Sequence, residues 1–396
     1  MTINNEHNKL NVPNLRFPEF QGEWEKHELG DICETITDFV AAGSFASLRE
    51  NVKYYQEDNY AQLVRTVDLK KDFTNNDFVY VDELAYDFLW RVQFKEPNIV
   101  LPNIGANIGE KYYVSPEDLP KEKNVLGPNA ILLRSKCNDT HFVYFRLSTS
   151  SYDNEMKKLV GASGQPKFNK TDLKKVRLFM PSLKEQKKIS HFLRLLDERI
   201  ATQNKIIEDL KKLKFAISHI LFSSKFTNHL SYIANVVMGQ SPSSNAYNDQ
   251  GIGMPLVQGN LDISNGKTTP RLYTSEFNQT AEEGNIILTV RAPVGEVAKA
   301  TKNVCLGRGV CAIIPHEENM SDFIYQYLTF YKFMWRKYEQ GSTFTSINGS
   351  DVRNILCPEV RNVSILTLLD SKISTEERVV KLYQKQKQYL LRQMFI

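Results

Sequence analysis

Gly266-Lys267-Thr268 has the ending of a P-loop, in which backbone amides and a lysine would cradle a nucleotide's phosphates. That motif needs a glycine five residues before Gly266, and the position holds Leu261. Gly105-Ala106-Asn107-Ile108-Gly109 lacks the glycine spacing that brings a strand–helix turn against a dinucleotide. Neither a GxSxG nucleophile elbow nor an HExxH pair of zinc ligands occurs. Asn/Asp-Pro-Pro-Tyr/Phe, which an adenine aminomethyltransferase would need to hold the amino group of a flipped base, is absent too. The carboxylates form no nuclease-like cluster, and the seven histidines are dispersed without metal-ligand spacing. No catalytic residue and no metal site is assigned. The chain reads as one that positions something for other proteins.

With 396 residues, two or three domains are expected, each large enough to bury its own core. No run of about 18 apolar residues occurs, and Met1 to Asn11 is polar, so a cytoplasmic, non-membrane protein is expected. Five cysteines, odd in number and scattered, suit reduced core thiols better than a disulfide framework. The net charge of +4 says little, but Lys157 to Lys188 holds ten basic residues against Asp172 and Glu185. Such a run suits a solvated helix face as well as phosphate contact.

The elements that would position any such contact are written twice. Glu96-Pro97-Asn98-Ile99-Val100-Leu101 matches Glu283-Gly284-Asn285-Ile286-Ile287-Leu288, and Gly109-Glu110 matches Gly295-Glu296. Leu126-Gly127 answers Leu306-Gly307, Phe142-Val143-Tyr144 with Leu147 answers Phe323-Ile324-Tyr325 with Leu328, and Leu195-Leu196-Asp197 answers Leu368-Leu369-Asp370. The offset falls from 201 at Leu29/Leu230 through 187, 180 and 179 to 173 at Asp197/Asp370, so matched blocks are scaffold and each step marks a loop. A duplicated unit implies pseudo-twofold symmetry. Strands are predicted at residues 61–64, 98–101, 130–133, 285–290 and 309–314, and short helices at 142–158 and 321–338, which makes each globular domain α+β.

Two long helices complete the copies. Ile189, Leu193, Leu196, Ile200, Gln203, Ile207, Leu210, Lys214, Ile217 and Leu221 alternate steps of three and four. Leu366, Leu369, Ile373, Glu376, Val380, Tyr383, Lys387, Leu390 and Met394 do the same, and the phase is shared at an offset of 173. This is the a/d seam of a coiled coil. The short link after helix one and the position of Pro358 require the helices to run antiparallel, as a spacer of roughly 50 Å with a domain at each end. In a flush register Lys214 would approach Glu376 and Lys387 would approach Gln203.

Several segments resemble the specificity subunit of type I restriction–modification systems, over essentially the whole chain. They are Val12-Pro13-Asn14-Leu15-Arg16-Phe17-Pro18-Glu19-Phe20 with Trp24, Pro181-Ser182-Leu183-Lys184-Glu185-Gln186-Lys187-Lys188-Ile189, and Leu196-Asp197-Glu198-Arg199-Ile200. Gly239-Gln240-Ser241-Pro242 and Gly341-Ser342-Thr343 before Ile347 complete the set. The second copy departs where its helix begins, with Val360-Arg361-Asn362 in place of Glu-Gln-Lys. The resemblance implies two target-recognition domains (1–180 and 224–357) and two spacer helices (181–223 and 358–396). Each domain would read one half of a split, asymmetric double-stranded DNA site. Two methyltransferase subunits, which use S-adenosylmethionine, would dock on the chain, and restriction subunits using ATP and magnesium would join the full complex. None of those cofactors would bind this chain, which is not expected to be an enzyme, to homodimerise or to touch a membrane.

Base reading needs Arg, Lys, Asn, Gln, Ser or Thr on groove-facing loops. The candidates are Arg65, Asn103, Asn107, Gln165, Lys167 and Asn169 in the first copy. In the second they are Ser241, Ser243, Gln258, Arg291, Ser342, Thr343 and Ser346. Lys157, Lys158, Lys170, Arg336 and Lys337 are candidates for phosphate contact, which positions a protein without reading sequence. Two other readings remain: a self-sufficient nuclease or methyltransferase with an unrecognised site, and a structural homodimer joined through its helices.

Overall fold

Runs of Val, Ile and Leu only three to six residues long, bounded by Gly, Pro and Asn, are too short for helices and suit fully buried strands. The computed structural model describes residues 11–105, 107–160, 167–223, 226–332, 334–335 and 346–396. The chain divides into two compact units, Met1–Ala201 with Lys381–Ile396, and Thr202–Val380.

In the first unit the strands are β1 (Glu25–Glu28), β2 (Thr35–Asp38), β3 (Ala61–Val64), β4 (Tyr80–Val81), β5 (Asn98–Pro102), β6 (Tyr112–Val114), β7 (Asn124–Leu126), β8 (Ala130–Arg134) and β9 (Arg177–Met180). They form one sheet in the order β2-β8-β5-β6, another in the order β4-β3-β7, and the pair β1-β9. The second unit has β10 (Phe226–His229), β11 (Ala234–Met238), β12 (Tyr247–Asn248), β13 (Met254–Val257), β14 (Ile263–Ser264), β15 (Lys267–Thr268), β16 (Leu272–Thr274), β17 (Thr280–Ala281), β18 (Ile286–Thr289), β19 (Val297–Lys299), β20 (Val304–Leu306), β21 (Val310–Pro315) and β22 (Leu356–Pro358). Its sheets run β11-β21-β18-β19-β15-β14 and β12-β16-β13-β20-β17, with β10 paired to β22.

The internal repeat is therefore a repeat of topology. β2-β8-β5-β6 corresponds to β11-β21-β18-β19, and the parallel pair β3–β7 corresponds to the parallel pair β13–β20. The second unit adds β15, which pairs parallel with β19 and covers its edge, and β14, antiparallel to β15; β6 ends the matching sheet of the first unit. In each unit a smaller apolar cluster is built on strand residues, joined in the first unit by short-helix residues such as Leu48 and Ala85, and a larger one joins sheet, helices and long-helix residues. Four cysteines are buried as expected of core thiols, whereas Cys137 is exposed.

Two helix expectations need correction. Residues 142–158 do not form one helix: Thr140–Leu147 ends, and Ser150–Leu159 restarts on Thr149, whose hydroxyl accepts the Tyr152 amide. A threonine that can cap the next turn competes with continuation of the helix. The helix expected over 321–338 spans Ser321–Tyr331.

The long helices are Leu183–Phe222 and Ser364–Gln393. All the predicted apolar seam positions are buried or half-buried: Leu193, Leu196, Ile200, Ile207, Leu210, Ile217, Leu221, Leu366, Leu369, Ile373, Val380, Tyr383, Leu390 and Met394. Met394 lies one residue past the helix. The seam also serves each unit's own core. Ile189, Leu193, Leu196, Leu390 and Met394 pack with Trp24 and Phe142 in the first unit, and Leu366 packs with Phe222 and Phe323 in the second.

The antiparallel direction holds within each unit, but the register differs from the flush one. Lys214 binds Asp370 at 2.5 Å rather than Glu376, and Lys387 binds Asp197 at 2.5 Å rather than Gln203. Glu376 instead accepts a hydrogen bond from Gln203 and pairs with Lys372 on its own helix. This slide sets each lysine against the aspartate of its neighbour's Leu-Leu-Asp segment, whereas the flush register would leave Lys387 facing an uncharged amide. Asp197 and Asp370 are repeat partners, as are Lys214 and Lys387, so the same ion pair is made once in each unit.

The helix starts differ as the sequence departs. Glu185, 1% exposed, accepts hydrogen bonds from Arg16 Nε at 2.8 Å and Trp24 Nε1 at 3.3 Å, which ties the N-terminal segment to the first helix. Gln186 accepts the Asp139 amide and donates to Pro181 O. The second long helix starts at Ser364 with Asn362 Oδ1 accepting the Ser364 amide. A double-mutant cycle on Lys214 and Asp370, read by thermal or denaturant unfolding, is expected to give a coupling of about 1 kcal/mol. The Lys214–Glu376 cycle is expected to give none, and the reverse pattern would restore the flush register.

Candidate nucleic-acid interface

Backbone amides at buried strand ends must be satisfied, and here neighbouring loops satisfy one another. In the first unit the Gly127 amide donates to Val64 O at 2.8 Å, which joins the β7–β8 turn to the end of β3. Asn103 N donates to Asn129 O at 3.2 Å, and Phe168 N donates to Asn103 O at 3.2 Å. Ile104 and Lys167 form an isolated antiparallel bridge. With Lys170 bound to Asp38 at the end of β2, the ends of β2, β3 and β5, the β7–β8 turn and the segment at 167–170 meet at one edge.

The second unit repeats this wiring at matched positions. Gly307 N donates to Val257 O at 2.8 Å, Val290 N to Gly309 O at 2.9 Å, and Ile347 N to Val290 O at 3.0 Å. Arg291 and Ser346 form the matching bridge. The approach is close enough to demand glycine: a Cβ on Gly309 would stand 2.0 Å from Gln258 O, and one on Gly239 would stand 2.1 Å from Gly307 O. The first unit has Asn129 where the second has Gly309, and Asn129 takes a φ of 66°, a conformation that asparagine tolerates better than most residues.

The candidates separate by what their side chains already hold. Arg65 gives Nε and Nη2 to Asp68 at 3.0 and 2.7 Å, and Nη2 also reaches Asp77 O. Asp68 is fully buried, and its hydrogen bond holds the Arg65 guanidinium above its ordinary pKa. Gln258 occupies the matching place, its amide on the buried Asp262, and its side chain makes no hydrogen bond among the described residues. Asn169 caps Lys170–Lys174, accepting the Asp172 amide at 2.8 Å, and Asn348 caps Gly349–Arg353 in the same way. Asn107 accepts from Lys70 at 2.8 Å, and Asn103 donates to Phe168 O.

Lys167, Ser243, Arg291 and Ser346 are exposed; Ser241 accepts the Arg308 amide at 3.0 Å. Of the phosphate candidates, Lys157 is exposed in the last turn of its helix, Lys158 binds Glu155, and Lys170 binds Asp38 at 2.8 Å. Gln165, Ser342, Thr343, Arg336 and Lys337 lie outside the described residues, as does Gly341. Sequence reasoning passed over Arg308, which stands exposed at the tip of the β20–β21 turn with no ion pair among the described residues. Its signal was present: Arg308 sits between the glycines of Gly307-Arg308-Gly309, opposite Pro128 in the repeat. Among the described residues no group of three His, Cys, Asp or Glu side chains is placed to hold a metal ion, and no helix is long and apolar enough to cross a membrane.

Comparisons with known proteins agree with this duplicated frame. Residues 21–212 and 227–379 each match the type I restriction modification DNA specificity domain. The chain is 28% identical over 377 residues to a protein of Methanocaldococcus jannaschii assigned as the specificity subunit of the type I restriction enzyme MjaX, covering 88% of this chain and 85% of the relative. A second protein of that organism, the MjaVIII specificity subunit, is 25% identical over 232 residues, 59% of this chain and 49% of the relative. Among solved structures, the type I restriction-modification S subunit from M. genitalium superposes with a TM-score of 0.62 at 16% identity, covering 97% of this chain and 99% of that one. A chain from a structure of complex assembly and conformational transition in a type I R-M system gives 0.57 at 19% identity, covering 93% and 96%. The chain belongs to the type I restriction modification DNA specificity family, as the non-catalytic subunit that confers DNA specificity.

Proposed function

We propose that each unit reads one half of a bipartite, asymmetric double-stranded DNA site through the loops at this strand end. The observation that carries the reading is a common backbone frame bearing different exposed side chains. Lys167 stands where the second unit has Ser346, Ile104 where it has Arg291, and Pro128 where it has Arg308. Two such frames suit two different words.

Within that reading, Arg291 and Arg308 supply guanidinium forks for guanine O6 and N7, Gln258 suits adenine N6 and N7, and Lys167 suits guanine. Asn103, Ser241, Ser243 and Ser346 lie beside them as shorter-range donors and acceptors. Arg65, Asn107 and Asn169 hold the frame, because their polar atoms are committed to Asp68, Lys70 and Asp172. Gln165, Ser342 and Thr343 remain base-contact proposals, and Arg336 and Lys337 phosphate proposals, on sequence grounds. Lys157 is the strongest phosphate contact, since Lys158 and Lys170 already bind carboxylates.

The chain would act in the cytoplasm, as one copy with two methyltransferase subunits and with restriction subunits in the full complex. S-adenosylmethionine, ATP and magnesium would belong to those partners, none to this chain. A purified chain that cut or methylated DNA alone would replace this reading with that of a self-sufficient enzyme. A dimer in light scattering would favour the homodimer.

Mapping methylated adenines in cells with and without the chain tests the reading. Lys167→Ala is expected to relax base choice in one half-site and Arg308→Ala in the other, each costing about 1–3 kcal/mol of discrimination. Either variant altering both halves, or neither doing anything, would refute it. Arg65→Ala should instead strip partners from buried Asp68 and cost about 3 kcal/mol in thermal unfolding, with base choice intact. Lys157→Ala should weaken all duplexes alike and flatten the salt dependence by about one unit.

A further inference from the structure

Between β2 and β3 the first unit carries a seven-residue helix, Phe45–Asn51, begun by Ser44, whose hydroxyl accepts the Ser47 amide at 3.2 Å. Leu48 and Val52 fasten it to the core. Phe45, in the first turn of the same helix face, is 77% exposed. It borders a cavity of about 590 Å³ lined by Val40, Tyr54 and Ile104 and also by Asn103, Asn129 and Asp38, the last already bound to Lys170 at 2.8 Å. Those two asparagines join the β5 loop to the β7–β8 turn, so the groove is continuous with the proposed reading edge. Arg49, one turn after Phe45, also borders it and has no ion pair among the described residues. The matching segment of the second unit, 239–253, has a short 3-10 turn at Ser244–Ala246 and no aromatic residue before Tyr247.

We propose that this groove receives the C5-methyl group of a thymine in the half-site read by the first unit, with Phe45 packed on the methyl and Arg49 beside the flanking phosphate. The inference rests on the reading of this edge as a DNA surface. In the major groove every base edge presents hydrogen-bonding groups, and the thymine methyl is the apolar feature. A polar base edge set directly against Phe45, Val40 and Ile104, rather than against Asn103 or Asn129, would lose water and find no donor or acceptor there. A methyl group loses nothing and removes apolar surface of Phe45 from water. Arg49 supplies the positive charge that a phosphate favours and a second protein surface would not require.

The test uses the full chain with its methyltransferase subunits and a duplex of the mapped site. Each thymine of the half-site assigned to the first unit is replaced singly by deoxyuridine, which removes the methyl alone. One replacement is expected to weaken binding of the wild-type assembly about fourfold. Phe45→Ala should lose a similar factor on the thymine duplex and be indifferent to that replacement, while replacements in the other half-site should not depend on Phe45. The exposure of Phe45 predicts an unchanged melting temperature for this variant. The inference is overturned if that half-site contains no thymine, if no replacement there matters, or if Phe45→Ala keeps the wild-type response. Light scattering that shows Phe45→Ala dissolving a dimer would assign the groove to a second copy instead. Lys167→Ala, run in parallel, separates the levels. If it still changes base choice in that half-site, the thymine contact fails alone; if it does not, the reading of this edge fails as well.

Discussion

Buried amides and carbonyls at the strand ends have to be paired, and in each unit three loops pair them with one another. The bonds Gly127–Val64, Asn103–Asn129 and Phe168–Asn103, with their counterparts in the second unit, involve backbone atoms alone. Side chains at the same positions are therefore released from holding the fold. That separation lets Lys167 and Ser346, or Pro128 and Arg308, occupy equivalent places without disturbing the strands beneath. At Asn169 and Asn348, where the side chain caps the following helix, the two units carry the same residue, whereas Arg65 holds the frame in the first unit alone.

The long helices follow a similar division of labour. Their apolar seam belongs both to the helix pair and to the core of the unit in which each end is seated. Apolar contact alone tolerates sliding, because one leucine layer resembles the next. The Asp197–Lys387 and Asp370–Lys214 pairs supply the discrimination, since a slipped register would strand a half-buried lysine against an apolar or uncharged neighbour.

Much of the frame was legible in the residues. Strand β3 spans the four residues Ala61–Val64 expected of it, and the repeat blocks became matching strands in matching sheet order. Helix ends were less legible: Thr149 breaks what apolar spacing alone reads as one helix, because its hydroxyl offers the next turn a cap. At the candidate interface, residue type could not distinguish a side chain aimed at a ligand from one spent on a neighbour. Arg65 had the right chemistry for a base but is held by Asp68 and Asp77, and Arg308 was hidden in a short turn between two glycines.

Sequence by itself determined the duplication, the α+β character of each copy, the heptad phase of the two helices and their antiparallel direction. These follow from spacing along the chain, where apolar periodicity and loop length leave few packings. Tertiary structure decided the helix register, the grouping of loops at one edge and the division of polar residues into those that hold and those left free. Those depend on which atoms, distant in sequence, come within hydrogen-bonding reach: Lys214 meets Asp370, and Gly127 meets Val64, only once the sheets and helices have packed.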